Sequence, residues 1–274
     1  MTRKTRLSDA EIETYHRDGL VIPDYRLPEE TLSGLKAAVD RLIADHPNVR
    51  PEQLSGPHNP WGQSARMIGN YDFLSFCGFS EILDMVAQVI GPDIILWGSM
   101  LFAKPPKEGK AVPWHQDGQY WPISPLATCT VRIAIDGSSV ENGCMRYIPG
   151  SHRKKTLERH AVADRDDYAI KQEMEEIDEA QARDVVLAPG QISLHDVYTV
   201  HGSNHNRSGT RRADYAIRYM PATSLYDRSP DHPATAYAMK VSPTMNYPLR
   251  PIWLMRGTDR AGNDFSVGHG SHAA

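Results

Sequence analysis

The segment His115-Gln116-Asp117 sets an imidazole and a carboxylate two residues apart. In extended backbone such residues project from the same side of a strand and can grip one metal ion. A third ligand is then needed. His201 follows the run Val197-Tyr198-Thr199-Val200 and precedes Gly202-Ser203, a place suited to the end of a facing strand. Two neutral imidazoles and one carboxylate on one face leave three octahedral positions open, as in non-haem Fe(II) oxygenases, and open positions point to catalysis. The chain has 12 His, and an isolated His-x-Asp also arises as an ordinary surface or hydrogen-bonded pair, so the surrounding residues must decide.

The elements that position these residues follow from a change of periodicity along the chain. The N-terminal part, about 1–92, reads as mainly helical. Ser8 and Glu11 form a capping box, Leu7 and Ile12 a hydrophobic staple, and Gly19 a helix stop. Leu32, Leu35, Val39, Leu42 and Ile43 recur at helical spacing after Pro28, and Ile82, Met85, Val86, Val89 and Ile90 do so before Gly91. From 93 to 256 the pattern becomes short strand-like runs at 94–102, 128–136, 185–187, 192–194 and 215–219, divided by Gly, Pro and Asn. They predict a mainly β barrel or jelly roll with the helices packed around it. The polar stretch near 152–183 reads as a solvated surface insertion, and the Gly-rich tail 257–274 carries weak ordering signals. We expect one domain over 1–274.

Composition narrows the partners. Thirty Lys and Arg against 34 Asp and Glu give a net charge of −4, which provides no footprint for duplex nucleic acid or an anionic membrane. No apolar run is long enough to span a bilayer, and the basic start leads into Ser8-Asp9-Ala10-Glu11 rather than an apolar signal core. Cys77, Cys129 and Cys144 are too few and wrongly spaced for a disulfide framework or a Cys metal site. These features predict a cytoplasmic protein. They set no oligomeric state.

Several weak motifs occur in one order: Ile90-Gly91-Pro92-Asp93-Ile94, Met100-Leu101-Phe102-Ala103-Lys104-Pro105-Pro106, Trp114-His115-Gln116-Asp117-Gly118, Glu141-Asn142-Gly143-Cys144-Met145, Pro149-Gly150-Ser151-His152, Pro189-Gly190-Gln191 and His201-Gly202-Ser203. In this order the sequence resembles the phytanoyl-CoA dioxygenase family of Fe(II)- and 2-oxoglutarate-dependent oxygenases. The resemblance implies a double-stranded β-helix, cupin-like core, with His115, Asp117 and His201 as iron ligands and 2-oxoglutarate and O2 as cosubstrates. It implies that Arg212 holds the distal carboxylate of 2-oxoglutarate, a bidentate task for which Lys is no substitute. Arg211 belongs to the opposite side of the strand. Arg218 shares parity with Arg212, so a slipped register would exchange their roles. Ser203 matches a position that supports the same carboxylate and Met100 one that packs near the cosubstrate, beside the plainer readings of a turn serine and a core methionine. Arg132 departs from the animal enzymes, which carry Trp there. Its strand alternates, which puts Arg132 on the face opposite the apolar one, and the resemblance implies that this face looks into the site, where Arg132 contacts either an acidic group of the cosubstrate or substrate, or an acid of the protein such as Asp136.

The expected activity is hydroxylation of a small organic substrate with release of succinate and CO2. Halogenation is not expected, because Asp117 fills the position that related halogenases leave open for a halide. The alternatives are a non-catalytic metal-binding barrel acting as sensor or scaffold, and a zinc hydrolase needing no 2-oxoglutarate. Formation of succinate separates them. Trp114, Tyr120 and Trp121 flank the metal motif as pocket walls or barrel filling, while His152, His205, His269 and His272 read as surface polarity.

Overall fold

In the computed structural model, residues 4–61, 67–163, 165–174, 176–241 and 246–270 are described. Ser8 caps α1 (Asp9–Asp18): its side chain accepts from the backbone N–H of Glu11, whose carboxylate accepts from the backbone N–H of Ser8. Gly19, at φ +82°, adopts the left-handed conformation that ends the helix. β1 (Leu20–Val21) follows, then α2 (Glu29–Asp45), β2 (Leu54–Ser55), α3 (Tyr71–Phe76) and α4 (Ser80–Ile90). The predicted stripes are buried: Leu32, Leu35, Val39 and Leu42 on α2, and Ile82, Met85 and Val86 on α4.

The β region comprises β3 (Ile94–Lys104), β4 (Val112–His115), β5 (Ile123–Ser124), β6 (Cys129–Ala134), β7 (Met145–Tyr147), β8 (Arg183–Val185), β9 (Ile192–Asp196), β10 (His201–Ser203), β11 (Arg212–Pro221) and β12 (Leu225–Tyr226). α5 (Pro233–Val241) and β13 (Trp253–Arg256) complete it. The larger sheet runs β1-β9-β6-β11-β3-β13, with β2 also on β3, and the smaller runs β4-β10-β7-β8. Every pairing between these strands is antiparallel. This is the expected jelly roll.

Strand alternation divides the larger sheet chemically. Val131, Ile133, Ile192, Leu194, Ala213, Tyr215, Ile217 and Tyr219 point outward into one core with Tyr15, Leu35, Phe73, Ile82 and Met85 of the helices. Each Val, Leu, Ile, Phe or Met side chain among them contributes about 1.5–3 kcal/mol when buried. The inward residues are arranged in cross-strand rows: Lys104 opposite Arg212, then Phe102, Asp214 and Ala134, then Met100, Ala216, Arg132 and Ser193, then Gly98, Arg218, Thr130 and His195. A greasy helical layer on one face thus fixes a polar chamber on the other.

Two expectations need correction. The stretch near 152–183 is tied to β4 rather than fully solvated. Gln116, 1% exposed, accepts from Glu158 N and donates to Thr156 O, while its own backbone N–H donates to His160 Nε2. Met174 N donates to Trp114 O. The described part of the tail also packs back: Asn263 donates to Ser224 O, and the His269 ring lies against Trp61 and Trp253. Gly spacing does not reveal such long-range anchors. Two of the histidines read as surface polarity are not surface groups either, since His152 is buried with Nε2 bonded to His16 O and His269 is the ring just described. His272 lies outside the described residues.

Burial makes one further histidine a stability determinant. His58 Nδ1 lies 2.6 Å from Ser99 Oγ and its Nε2 has no partner. Burial, then the positive charges of Arg250 and Arg218, push its pKa down to about 3. The unfolded value is near 6.5, so the folded state resists protonation, and stability intact above that pH falls by about 1.4 kcal/mol per unit as pH drops toward 3. Replacing His58 with Asn should flatten this acid limb in urea melts at pH 4–7. An unchanged slope would assign the acid sensitivity to other groups.

Candidate metal and cosubstrate site

His115 ends β4, Asp117 opens the 3-10 turn that follows it, and His201 begins β10 directly opposite His115. One potential donor atom from each lies within 4.8 Å of the others, and all three residues are buried. The imidazole rings are 4.2 Å apart between centroids. Each histidine spends one nitrogen on its own strand: His115 Nδ1 is 2.9 Å from Pro113 O, and His201 Nδ1 is 3.0 Å from Thr199 O. A carbonyl only accepts, so both Nδ1 atoms carry the proton and both Nε2 atoms present lone pairs. Burial, first, and then the neighbouring His115 hold His201 well below the ordinary histidine range, which keeps it neutral. Burial alone would raise Asp117, but His115 and His195 beside it, and Arg218, hold it well below the usual carboxylate range. Two imidazole Nε2 atoms and one carboxylate form the two-histidine, one-carboxylate donor set of non-haem Fe(II) centres.

His195 escapes the motif reading. It lies on β9, far from the His-x-Asp segment in sequence, yet it is 1% exposed with Nε2 3.4 Å from Asp117 Oδ2. Thr130 Oγ1 is also 3.4 Å from that oxygen. Both orient Asp117 while leaving Oδ1 toward His115, 3.8 Å away. The only sequence signal is parity: His195 sits at an inward position of the Ile192–Asp196 strand.

The same cavity is walled by Phe102, Val112, Ser203 and Ala216, and by Arg132, Arg212 and Arg218. Arg212 faces inward and Arg211 outward, where Arg211 pairs with Asp136 and Asp40. Arg212 is 1% exposed and shares the carboxylate of Asp214 with Arg132, but its Nε and Nη1 have no acceptor among the described residues. These are two buried donors on a planar fork without an acceptor, as an anion-binding group needs. Ser203 Oγ accepts from Lys104 Nζ at 2.7 Å, which leaves its hydroxyl proton available. Lys104 is itself fully buried, and burial, then Arg212 and Arg132, push its pKa well down. Arg132 faces the chamber as parity requires. Its acid is Asp214, not Asp136, which lies beyond the end of β6 and is occupied by Arg211. Met100 stands behind the cavity wall, packed on the cluster of Phe102, Val112 and Ala216.

The family profile described as Phytanoyl-CoA dioxygenase (PhyH) matches residues 15–213. A protein of Stutzerimonas stutzeri named probable alpha-ketoglutarate-dependent hypophosphite dioxygenase is 33% identical over 145 residues, 52% of this chain and 50% of that one. The match thus spans half the length of that relative. An ectoine dioxygenase of Bordetella parapertussis is 25% identical over 263 residues, 85% of this chain and 84% of that one. A solved structure described as non-heme monooxygenase, ThoJ apo, aligns with TM-score 0.69 at 26% identity, covering 92% of this chain and 85% of that one. The matched span takes in all three residues of the triad and Arg212, and the chain belongs to the phytanoyl-CoA dioxygenase family of 2-oxoglutarate-dependent non-haem iron dioxygenases.

Proposed function

We propose that the chain couples oxidative decarboxylation of 2-oxoglutarate, giving succinate and CO2, to hydroxylation of a small organic substrate. One oxygen atom of O2 enters succinate and the other the substrate, so the electrons balance without a further reductant. The observation that carries this reading is the juxtaposition, in one buried cavity, of a triad with open Nε2 donors and a guanidinium with two N–H groups lacking an acceptor.

In this reading His115, Asp117 and His201 hold Fe(II), which when bound supplies the redox chemistry that O2 activation requires. His195 and Thr130 fix the orientation of Asp117. Arg212 takes the distal carboxylate of 2-oxoglutarate through its free Nε and Nη1, and Ser203 donates its hydroxyl proton to the same group. Asp214 and Lys104 hold Arg212 and Ser203 in place, so little freedom is lost on binding. Arg132 sets the charge of that end of the cavity and Met100 backs its apolar wall, while Phe102, Val112 and Ala216 exclude water. Ectoine and hypophosphite, in the names of the two relatives, are both small molecules, which supports a small substrate here. Three buried free thiols support a reducing compartment, the cytoplasm.

Adding Fe(II) and 2-oxoglutarate without oxygen should produce the weak visible charge-transfer band of an iron-chelated keto acid. Absence of the band together with an unchanged Tm would remove the reading in favour of a scaffold. Replacement of Arg212 with Lys should raise the 2-oxoglutarate midpoint of that band at least 10-fold, since a point charge cannot reproduce a planar fork. With excess chloride, product mass spectra should show oxygenation and no chlorination, because Asp117 occupies the position a halide would need.

Arg132→Leu supplies a fourth check. Asp214 would then pair with Arg212 alone and draw it toward the protein, so the apparent KM for 2-oxoglutarate should rise several-fold. Loss of one partner of a buried ion pair should also lower stability by about 3–5 kcal/mol. A lowered Tm with an unaltered KM would confine Arg132 to a structural part.

A further inference from the structure

Building on that reading, we infer that Arg218 recognises the substrate, and that the substrate carries an oxyanion, a carboxylate or a phosphonate. Arg218 lies on the inward face of β11, in one row with Gly98, Thr130 and His195. Its side chain is 12% exposed and lines the cavity that holds the triad. Yet its charge is poorly matched. The Nε atom is buried without a partner, and the ion pair it makes among the described residues is loose, Nη2 to Asp117 Oδ1 at 3.9 Å, beyond hydrogen-bond reach. The guanidinium also lies over the face of Trp121, its carbon 5.2 Å from the ring centroid.

Space around Arg218 is also specifically made. A Cβ at position 98 would come within 3.1 Å of Arg250 Nη1 and 3.9 Å of Arg218 Cδ, so glycine lets a second buried guanidinium approach the first. Arg250 is 4% exposed and lies over the rings of Tyr247 and Trp97, at 4.6 and 5.6 Å. Two arginines converging on aromatic faces beside a metal triad form a cationic, partly apolar wall.

Charge balance points the same way. With a divalent ion and the 2-oxoglutarate dianion in place, Asp117, Asp214, Arg132 and Arg212 complete a neutral set, even with Lys104 counted as uncharged. Arg218 is left over, and Asp117 would by then share its electrons with the metal. A buried cation without a partner is costly, and an incoming anion removes that cost. The distal carboxylate of 2-oxoglutarate, once held by Arg212, does not serve Arg218 as well. Arg212 and Arg218 are six residues apart on one strand, about 20 Å between Cα atoms, with Arg212 beside Lys104 and Arg218 beside the triad.

The test uses protein loaded with Fe(II) and 2-oxoglutarate without oxygen, at constant ionic strength. Acetate, benzoate and methylphosphonate are titrated against acetamide and benzamide, with perturbation of the visible band and Tm as readouts. The anions should act at concentrations at least 10-fold below their neutral counterparts. Replacement of Arg218 with Gln should raise the anion midpoints at least 10-fold, and Arg218→Lys should raise them less. The carboxylate and phosphonate arms distinguish the two sources of oxyanion. Equal action by the amides, no effect of any anion, or an unaltered preference in the Gln variant would each overturn the inference. So would a Gln variant whose defect is a raised 2-oxoglutarate midpoint like that of Arg212→Lys, since Arg218 would then be a cosubstrate clamp. If Arg218→Gln does not fold, the acid-against-amide comparison on the unaltered protein decides alone. If the unaltered protein forms no band with Fe(II) and 2-oxoglutarate, the enzyme reading fails separately, and the same titrations followed by Tm still test anion recognition.

Discussion

The carboxylate of Asp214, 2% exposed, accepts from both Arg132 and Arg212. That shared bond is what allows cations to stand inside a barrel at all. An unpaired guanidinium in an apolar core carries a cost of several kcal/mol, and one acid between two arginines neutralises half of it. The pair leaves an excess of one positive charge at that end of the chamber. Asp214 is held below the usual carboxylate range, with burial opposing and the two arginines prevailing. That shift favours its ionised form. The donor geometry of Arg212 rests on this one side chain.

The triad depends on a different kind of rigidity. Strand pairing sets His201 opposite His115, and each ring is locked by a carbonyl two residues before it on the chain. These contacts cost no side-chain partner and cannot drift, because Pro113 and Thr199 belong to the backbone of the same segments. Gln116, between the two motif residues, ties the same segment to the 156–160 region. The middle residue of His-x-Asp thus performs a structural task that leaves its neighbours free for chemistry.

Much of this was legible in the residues. Capping at Ser8 and Glu11, the stripes of α2 and α4 and the alternation of β6 and β11 are local signals, each carried by a few adjacent side chains. Parity alone separates Arg211 from Arg212 and turns Arg132 inward. Partner choice is another matter, because it depends on strand register. Asp136 is four residues from Arg132 and Asp214 is 82 away in sequence, yet antiparallel pairing of β6 with β11 brings the distant one into contact. His195, Lys104 and Gly98 were missed for the same reason: each is unremarkable in its own segment and acquires meaning only across a sheet.

The inward rows also explain why the chamber violates rules that the rest of the fold obeys. Along β11 the outward residues Ala213, Tyr215, Ile217 and Tyr219 are uniformly apolar or aromatic, whereas the inward ones are Arg212, Asp214, Ala216 and Arg218. The outward face provides the stability that the inward face spends on unsatisfied donors at Arg212 Nε and Nη1 and Arg218 Nε. Local rules broken in one place, against consistency everywhere else, mark a functional site. The unsatisfied guanidinium donors call for acceptors, an anion best of all, while Asp214 Oδ1 is left without a donor among the described residues. Ala216, the small residue midway along β11, leaves the room in which two such anions would meet the triad.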